Sequence, residues 1–377
     1  MPDNVSKLLI ELMKFGNIAE QKSDIECVKF ATQKLEEIGC ASDLQIFEDT
    51  ANSLSTIGEG EKHLCFCGHC DVVPFGNNWS KNPRGEIVGE KIFGRGAVDM
   101  LGGDACWISA VSEIAMEKPE TLKELKISTL LTGAEEGEAK NGTNKFVDYL
   151  LNKNINFNAC IVGEPTNKQI SNDLNYICCG RQGSLHFEID VFGKSGHIAY
   201  KNNFDNPIKK ATFLCNELYK IYWNEYTNLE ISGIEAHNNT SNVVLDRVKI
   251  FGNVRFYETT KDEVEDKILK SCDILKKDDY KISFDCQRYG FKSEGKFLEL
   301  VKNSVEKYSK DVKAGMCFAC TDGEYMTRIS DEVCEFGLCE DTMHKPDEFT
   351  TINELDKLKN IYKQIIIDFV NFSKSKI

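Results

Sequence analysis

Apolar positions along the chain repeat with two different periods, and the switches between them divide it into segments. The apolar stretch at 8–13 is interrupted by Glu11 and followed by Lys14, with no small-residue cleavage site after it, so it reads as a helix rather than a signal peptide. Ser23-Asp24-Ile25-Glu26 has the form of a capping box, and Cys27, Phe30, Ala31, Leu35 and Ile38 follow at helical spacing until Gly39. Short apolar runs at 64–67, 125–131 and 159–162 read as buried strands, with helical stretches at 104–116 and 143–151 between them. Strands alternating with helices imply an α/β domain with a largely parallel sheet.

From about Gly180 the texture changes. Residues 185–192 alternate as a strand, 206–221 are helical, 229–234 and 243–256 are strands, and 261–275 and 280–286 add a helix and a strand. This β-α-β-β-α-β order closes as a small α+β sandwich of one sheet and two helices. After Ser293 the α/β pattern resumes and ends in an amphipathic helix with Leu355, Leu358, Ile361, Tyr362, Ile365, Ile366 and Phe369 on one face. The expected organisation is a catalytic domain in two pieces, 1–179 and 294–377, with a smaller domain, 180–293, inserted between them.

The length of 377 residues fits about two domains, and 41% apolar with 28% charged residues is a globular composition. A net charge of −14 argues against nucleic acid or an anionic membrane as the main partner, because both are repelled over the whole surface. Nothing approaches the length of a membrane span. The sixteen cysteines fall largely inside core segments, for example Cys65, Cys67, Cys160, Cys178 and Cys179, where a free thiol packs as a small hydrophobe. They are read as reduced thiols of a cytoplasmic protein rather than a secreted disulfide framework. Cys317-x-x-Cys320 has no second pair at zinc-ribbon spacing and no thioredoxin-like surroundings.

The chemistry-bearing residues stand mostly just past the strands. Gly68-His69-Cys70-Asp71 follows the first apolar run, placing His69 at a strand's carboxyl end, where open α/β sheets bind ligands. Asp71 is a candidate partner for the second imidazole nitrogen. Asp99 lies in Gly94-Arg95-Gly96-Ala97-Val98-Asp99-Met100, as a ligand or as a cap for the next helix. Glu135 and Glu136 follow the second strand, Glu164 the third, and His344 lies in Met343-His344-Lys345-Pro346-Asp347-Glu348. Two imidazoles and several carboxylates suit Zn²⁺ or Co²⁺, whereas an all-oxygen set suits Mg²⁺ or Ca²⁺. Taken singly, each segment is also compatible with an ordinary surface turn.

The motifs GHCDVVP, GRGAVDM, LTGAEEG, GEPT and MHKPDE, in this order over nearly the whole chain, resemble the M20 family of metallopeptidases and deacylases. EEGEAKNGT, GRQGS at 180–184, SGHIAY and TSNVV at 240–244 resemble the branch that removes succinyl groups from diaminopimelate in lysine and cell-wall precursor synthesis. The resemblance implies a zinc-peptidase-like catalytic domain and a lid and dimerisation domain. It implies two zinc ions per subunit, replaceable by cobalt: one held by His69 and Glu164, the other by Glu136 and His344, with Asp99 bridging. Glu135 becomes the general base and Asp71 orients His69. Two cations sharing a carboxylate lower the pKa of a water between them from about 16 towards about 7, and an unligated Glu135 then relays its proton to the departing amine.

By the same resemblance His197, with Asn242, stabilises the oxyanion in the active site of the other subunit of a homodimer. Arg181, Ser184, Arg255 and Thr321 are the implied contacts for the substrate, a small N-acyl amino acid whose carboxylates suit guanidinium partners. A cis peptide between Asp99 and Met100 is also implied. Two departures bear on specificity: Cys320-Thr321-Asp322-Gly323-Glu324 stands where that branch has Thr-Ser-Asp-Gly-Arg, and Asp347 stands where it has asparagine. The same metal core serves acetylornithine deacetylases, dipeptidases and carboxypeptidases, which are the alternatives, and a non-catalytic relative would lack a ligand or the base.

Overall fold

The structure is a computed structural model, and it describes residues 4–16, 23–137, 139–168, 173–237 and 240–372. The chain divides into two compact units, one of residues 1–180, 293–317 and 321–377 and one of residues 181–292 with 318–320.

In the larger unit the runs expected as buried strands form the centre of a mixed sheet. The strands Leu125–Thr132, Lys62–His69, Ala159–Val162 and Val333–Glu335 lie side by side in that order and run parallel. The hairpin Ala41–Phe47 and Thr50–Ile57 extends one edge antiparallel, and Tyr176–Arg181 pairs antiparallel with Val333–Glu335 on the other side. Four parallel strands send their carboxyl ends to one rim of the sheet. Their middles are apolar because both faces are covered. The ring of Phe66 stacks on Trp107 of the helix Leu101–Glu117 at 4.8 Å, and Tyr362 of the final helix Ile352–Phe369 meets both rings edge-on.

The final helix is the one the periodicity predicts. Leu355, Leu358, Ile361, Tyr362, Ile365, Ile366 and Phe369 are all buried, and the hydroxyl of Thr351 caps its start by accepting the Glu354 N–H at 3.1 Å. The helix Ser23–Glu36 also forms, but the capping box expected at its start rests on side chains outside the described residues.

The smaller unit is an antiparallel sheet in the order Asn228–Glu235, Arg247–Phe256, Gly183–Phe192, Tyr280–Arg288. Residues of one strand face bury against the helices Pro207–Leu218 and Lys261–Cys272, as in Leu185, Phe187, Ile189 and Val191 packing with Ala211, Leu214, Val264 and Ile268. The helix that starts at Lys261 carries a complete capping box between Thr260 and Glu263. The strand expected over 243–256 is two strands, Val243–Val244 and Arg247–Phe256, and the short one pairs with Gly196–His197. Among the described residues no helix is long and apolar enough to cross a membrane.

Candidate functional site

At the rim where the parallel strands end, five side chains from distant parts of the chain converge. His69 is the last residue of its strand, while Glu136 and Glu164 lie just past theirs. Asp99 precedes the helix Leu101–Glu117, across a cis peptide to Met100. His344 comes from a turn near the C-terminus whose φ of 59° is positive. His69, Asp99 and Glu164 bring one ligand atom each within 4.8 Å of one another, and so do Asp99, Glu136 and His344. Asp99 belongs to both groups.

The geometry around Asp99 is that of a bridge. Its Oδ1 lies 3.2 Å from His69 Nε2 and its Oδ2 3.0 Å from His344 Nε2. His344 Nε2 is also 3.0 Å from Glu136 Oε1, and His69 Nε2 is 3.7 Å from Glu164 Oε1. The other nitrogen of His69 donates to the backbone carbonyl of Asp71 at 2.9 Å, which fixes the ring so that Nε2 faces the carboxylates. Asp71 reaches the imidazole chiefly through that carbonyl, its carboxylate being 3.5 Å away. The carboxylate itself accepts the backbone N–H groups of Glu135 at 3.0 Å and Glu136 at 2.9 Å. Asp71 therefore shapes the Glu135–Glu136 turn as well as the histidine.

Such crowding perturbs every titration. Burial would raise the carboxyl pKa of Asp99, but hydrogen bonds from His344 and His69 outweigh it and hold the group below the usual carboxylate range. Burial pushes Glu164 well up, and the nearby charge of Asp99 adds to the push. Burial raises Glu136 too, against the hydrogen bond from His344. His344 rises to about 10 through its bonds to Asp99 and Glu136. For His69 burial acts downwards, yet the bond to Asp99 and the charges of Asp71 and Glu164 raise it well above its ordinary value. Three carboxylates held together with two imidazoles are a cluster of excess negative charge that protons relieve, and a pair of divalent cations relieves it more completely. The donor set, the two groups and the shared Asp99 fit such a pair.

The remaining candidates fall in three places. Glu135 is in neither ligand group, yet it is near enough for its charge to raise Glu164. Thr321 is buried, and its hydroxyl donates to the carboxylate of Glu335 at the end of the strand Val333–Glu335. The others belong to the smaller unit. There Ser184 and Arg255 are direct cross-strand partners, Asn253 donates to the Ser184 hydroxyl at 3.1 Å, and Arg181 is buried. His197 is exposed, with the Ala199 N–H 3.2 Å from its Nδ1 and its Nε2 on the opposite side of the ring. The side-chain amide of Asn242 lies 3.4 Å from that nitrogen.

Sequence reasoning gave no role to three buried groups that support the site. Asp104, in the first turn of the helix Leu101–Glu117, sits with its carboxyl against Gly68, where a Cβ would come within 2.0 Å of Oδ1. Arg95 and Glu348 form a buried ion pair of 2.6 Å. Their presence in GRGAVDM and MHKPDE was visible, but a buried pairing between positions so far apart has no local signal.

Residues 65–368 match the family described as Peptidase family M20/M25/M40, and the chain belongs to that family. It is, accordingly, a metal-dependent hydrolase of linear amides. Over 393 aligned positions it is 31% identical to the succinyl-diaminopimelate desuccinylase of Rickettsia bellii, covering 97% of each chain. Among solved structures it resembles the aminopeptidase PepT of Bacillus cereus, with a TM-score of 0.78 at 17% identity over 97% of this chain and 98% of that one. It also resembles a dinuclear metal binding peptidase of the M20 family from Bacillus subtilis, with a TM-score of 0.70 at 14% identity over 96% of each. At such identities the two structures speak to the fold.

Proposed function

We propose that the chain hydrolyses N-succinyl-LL-2,6-diaminopimelate to succinate and LL-2,6-diaminopimelate, using two divalent cations, zinc or cobalt, held by His69 and Glu164 on one side of Asp99 and by Glu136 and His344 on the other. The observation that carries the two-cation reading is Asp99 itself, with one carboxylate oxygen facing each histidine. The substrate reading draws on the desuccinylase relatives, whose length the match spans almost completely.

The cations, when bound, lower the pKa of water and polarise the amide carbonyl. The chain's own groups do the rest. Glu135 takes a proton from the attacking water and delivers it to the nitrogen as the C–N bond breaks, so that a neutral amine leaves instead of an amide anion. Asp71 holds the Glu135 backbone so that this carboxylate stays beside the ligand groups without joining them. An imidazole N–H is a donor suited to the oxyanion of the tetrahedral intermediate, and we assign that role to His197 of the second copy in a homodimer. Arg181, Ser184, Arg255, Asn242 and Thr321 are the proposed substrate contacts. The many free thiols support a cytoplasmic setting.

One feature favours a second reading, an M20 deacylase or peptidase of other specificity. Glu324 is buried at a turn where the desuccinylase branch has an arginine, a cation that would suit a succinyl carboxylate. Amine release from N-succinyl-LL-diaminopimelate, N-acetylornithine and a set of dipeptides decides between them. The expected result is a kcat/KM for the succinyl compound at least about tenfold above the others. In Glu135→Gln, kcat is expected to fall by about 10²–10⁴ with metal content unchanged. Preference for a dipeptide, or full activity in Glu135→Gln, would contradict the proposal.

A further inference from the structure

The turn that carries His344 belongs to no helix or strand, and two of its residues, His344 and Asp347, have φ of 59° and 58°. Residues with a Cβ keep such a conformation where their surroundings fix it. Two consecutive acids supply the fixing contacts. Asp347 accepts the backbone N–H groups of Ser80 at 2.8 Å and Lys81 at 3.0 Å, and the Ser80 hydroxyl at 2.7 Å. Glu348, fully buried, accepts the Val98 N–H at 3.0 Å on one oxygen and the Arg95 guanidinium at 2.6 Å on the other. Its carbonyl accepts the Gly94 N–H at 2.9 Å.

Arg95 extends this grip. Its guanidinium also donates to the carbonyls of Lys345 at 3.3 Å and Phe75 at 3.2 Å, and it lies 5.2 Å over the ring of Trp79. One buried ion pair thus locks the residue preceding Asp99 to the turn that presents His344. A buried pair of this kind adds little to stability compared with apolar residues of the same volume. What it adds is geometry, because each carboxylate oxygen is committed to a different segment. The other ligand group touches it only through the shared Asp99, because His69 and Glu164 take their places from the register of adjacent parallel strands, in which Cys67 pairs with Val162.

We infer that the Arg95–Glu348 pair is a positioning strut for the turn that presents His344 to the Asp99–Glu136–His344 group, acting chiefly on the affinity of the divalent cation held there, while His69 and Glu164 of the other group are placed by the sheet. This rests on the two-cation reading above. Groups that orient metal ligands from behind are worth about 10–100-fold in metal affinity when removed, and here the effect falls on one cation of two.

The test is calorimetric titration of metal-free full-length protein with zinc, for the parent, Glu348→Gln and Arg95→Lys, with circular dichroism of each metal-free variant as a separate measure of fold. The parent is expected to bind two ions. Each variant is expected to stay folded and bind one ion as the parent does, with the other weakened about 10–100-fold. Parent affinities for both ions in both variants, or equal weakening of both ions, would overturn the strut. Loss of fold in both variants would overturn it too, since the pair would then be structural support only. A parent that binds fewer than two ions removes the two-cation reading and the strut with it, an outcome distinct from a parent that binds two and variants that do likewise.

Discussion

Asp99 shows how much a single residue's setting decides. Burial and the charge of Asp99 push the carboxyl of Glu164 well up, whereas Asp99, equally buried, is held below the usual carboxylate range because an imidazole faces each of its oxygens. The histidine at the opposite end of the same strand is treated in the reverse sense. His63 lies at the start of the strand that ends in His69, with Nε2 2.7 Å from the Ser128 hydroxyl and its ring edge-on to Phe157. Burial, helped by the charge of Lys126, lowers its pKa to about 4. A folded-state pKa below the unfolded value of about 6.5 means that the group's contribution is fully present above that value and is lost as pH falls towards about 4. Denaturant unfolding of metal-free protein between pH 7 and pH 4 is therefore expected to show a shallower loss of stability in His63→Gln than in the parent. Parallel curves would mean that His63 is not held neutral by the fold.

At the scale of elements, the site exists because parallel strands end together and a helix packs tightly beneath them. Gly68 has no room for a side chain: a Cβ there would meet Asp104 Oδ1 at 2.0 Å and Phe66 at 2.9 Å. Gly68→Ala is expected to lower stability by about 1–3 kcal/mol through overpacking, read as a fall in thermal midpoint of the metal-free protein, and an unchanged midpoint would show that Asp104 gives way freely. The sequence disclosed the strands best where both faces are buried, since 64–67, 125–131 and 159–162 are unbroken apolar runs. The hairpin Ala41–Phe47 and Thr50–Ile57 was missed because Ser42, Asp43, Asn52, Ser53 and Ser55 break the apolar signal, and burial of Asn52 and Ser53 depends on partners brought by the fold. His69, Asp99, Glu136 and Glu164 were legible because they follow strands or sit in a glycine-rich turn, and His344 through the family motif MHKPDE. Asp104 and the Arg95–Glu348 pair were not, because a carboxylate near a helix start or a charged residue in a turn reads locally as solvated.

For the molecule as a whole, two units with separate apolar cores share one continuous chain, and the ligand groups lie entirely within the larger. The sixteen cysteines are reduced thiols and none is exposed, with burial raising the thiol pKa at Cys67, Cys160 and Cys334. That leaves the thiols as packing groups and the carboxylate–imidazole cluster as the chemistry. The central claim, a pair of cations astride Asp99, is tested most directly by anomalous diffraction from crystals of the parent protein loaded with zinc. The account predicts two peaks, one at about 2.0–2.2 Å from ligand atoms of His69, Asp99 and Glu164 and one at the same distance from Asp99, Glu136 and His344, with Glu135 in contact with neither. A single peak, peaks away from Asp99, or Glu135 bound in place of Glu136 would contradict it.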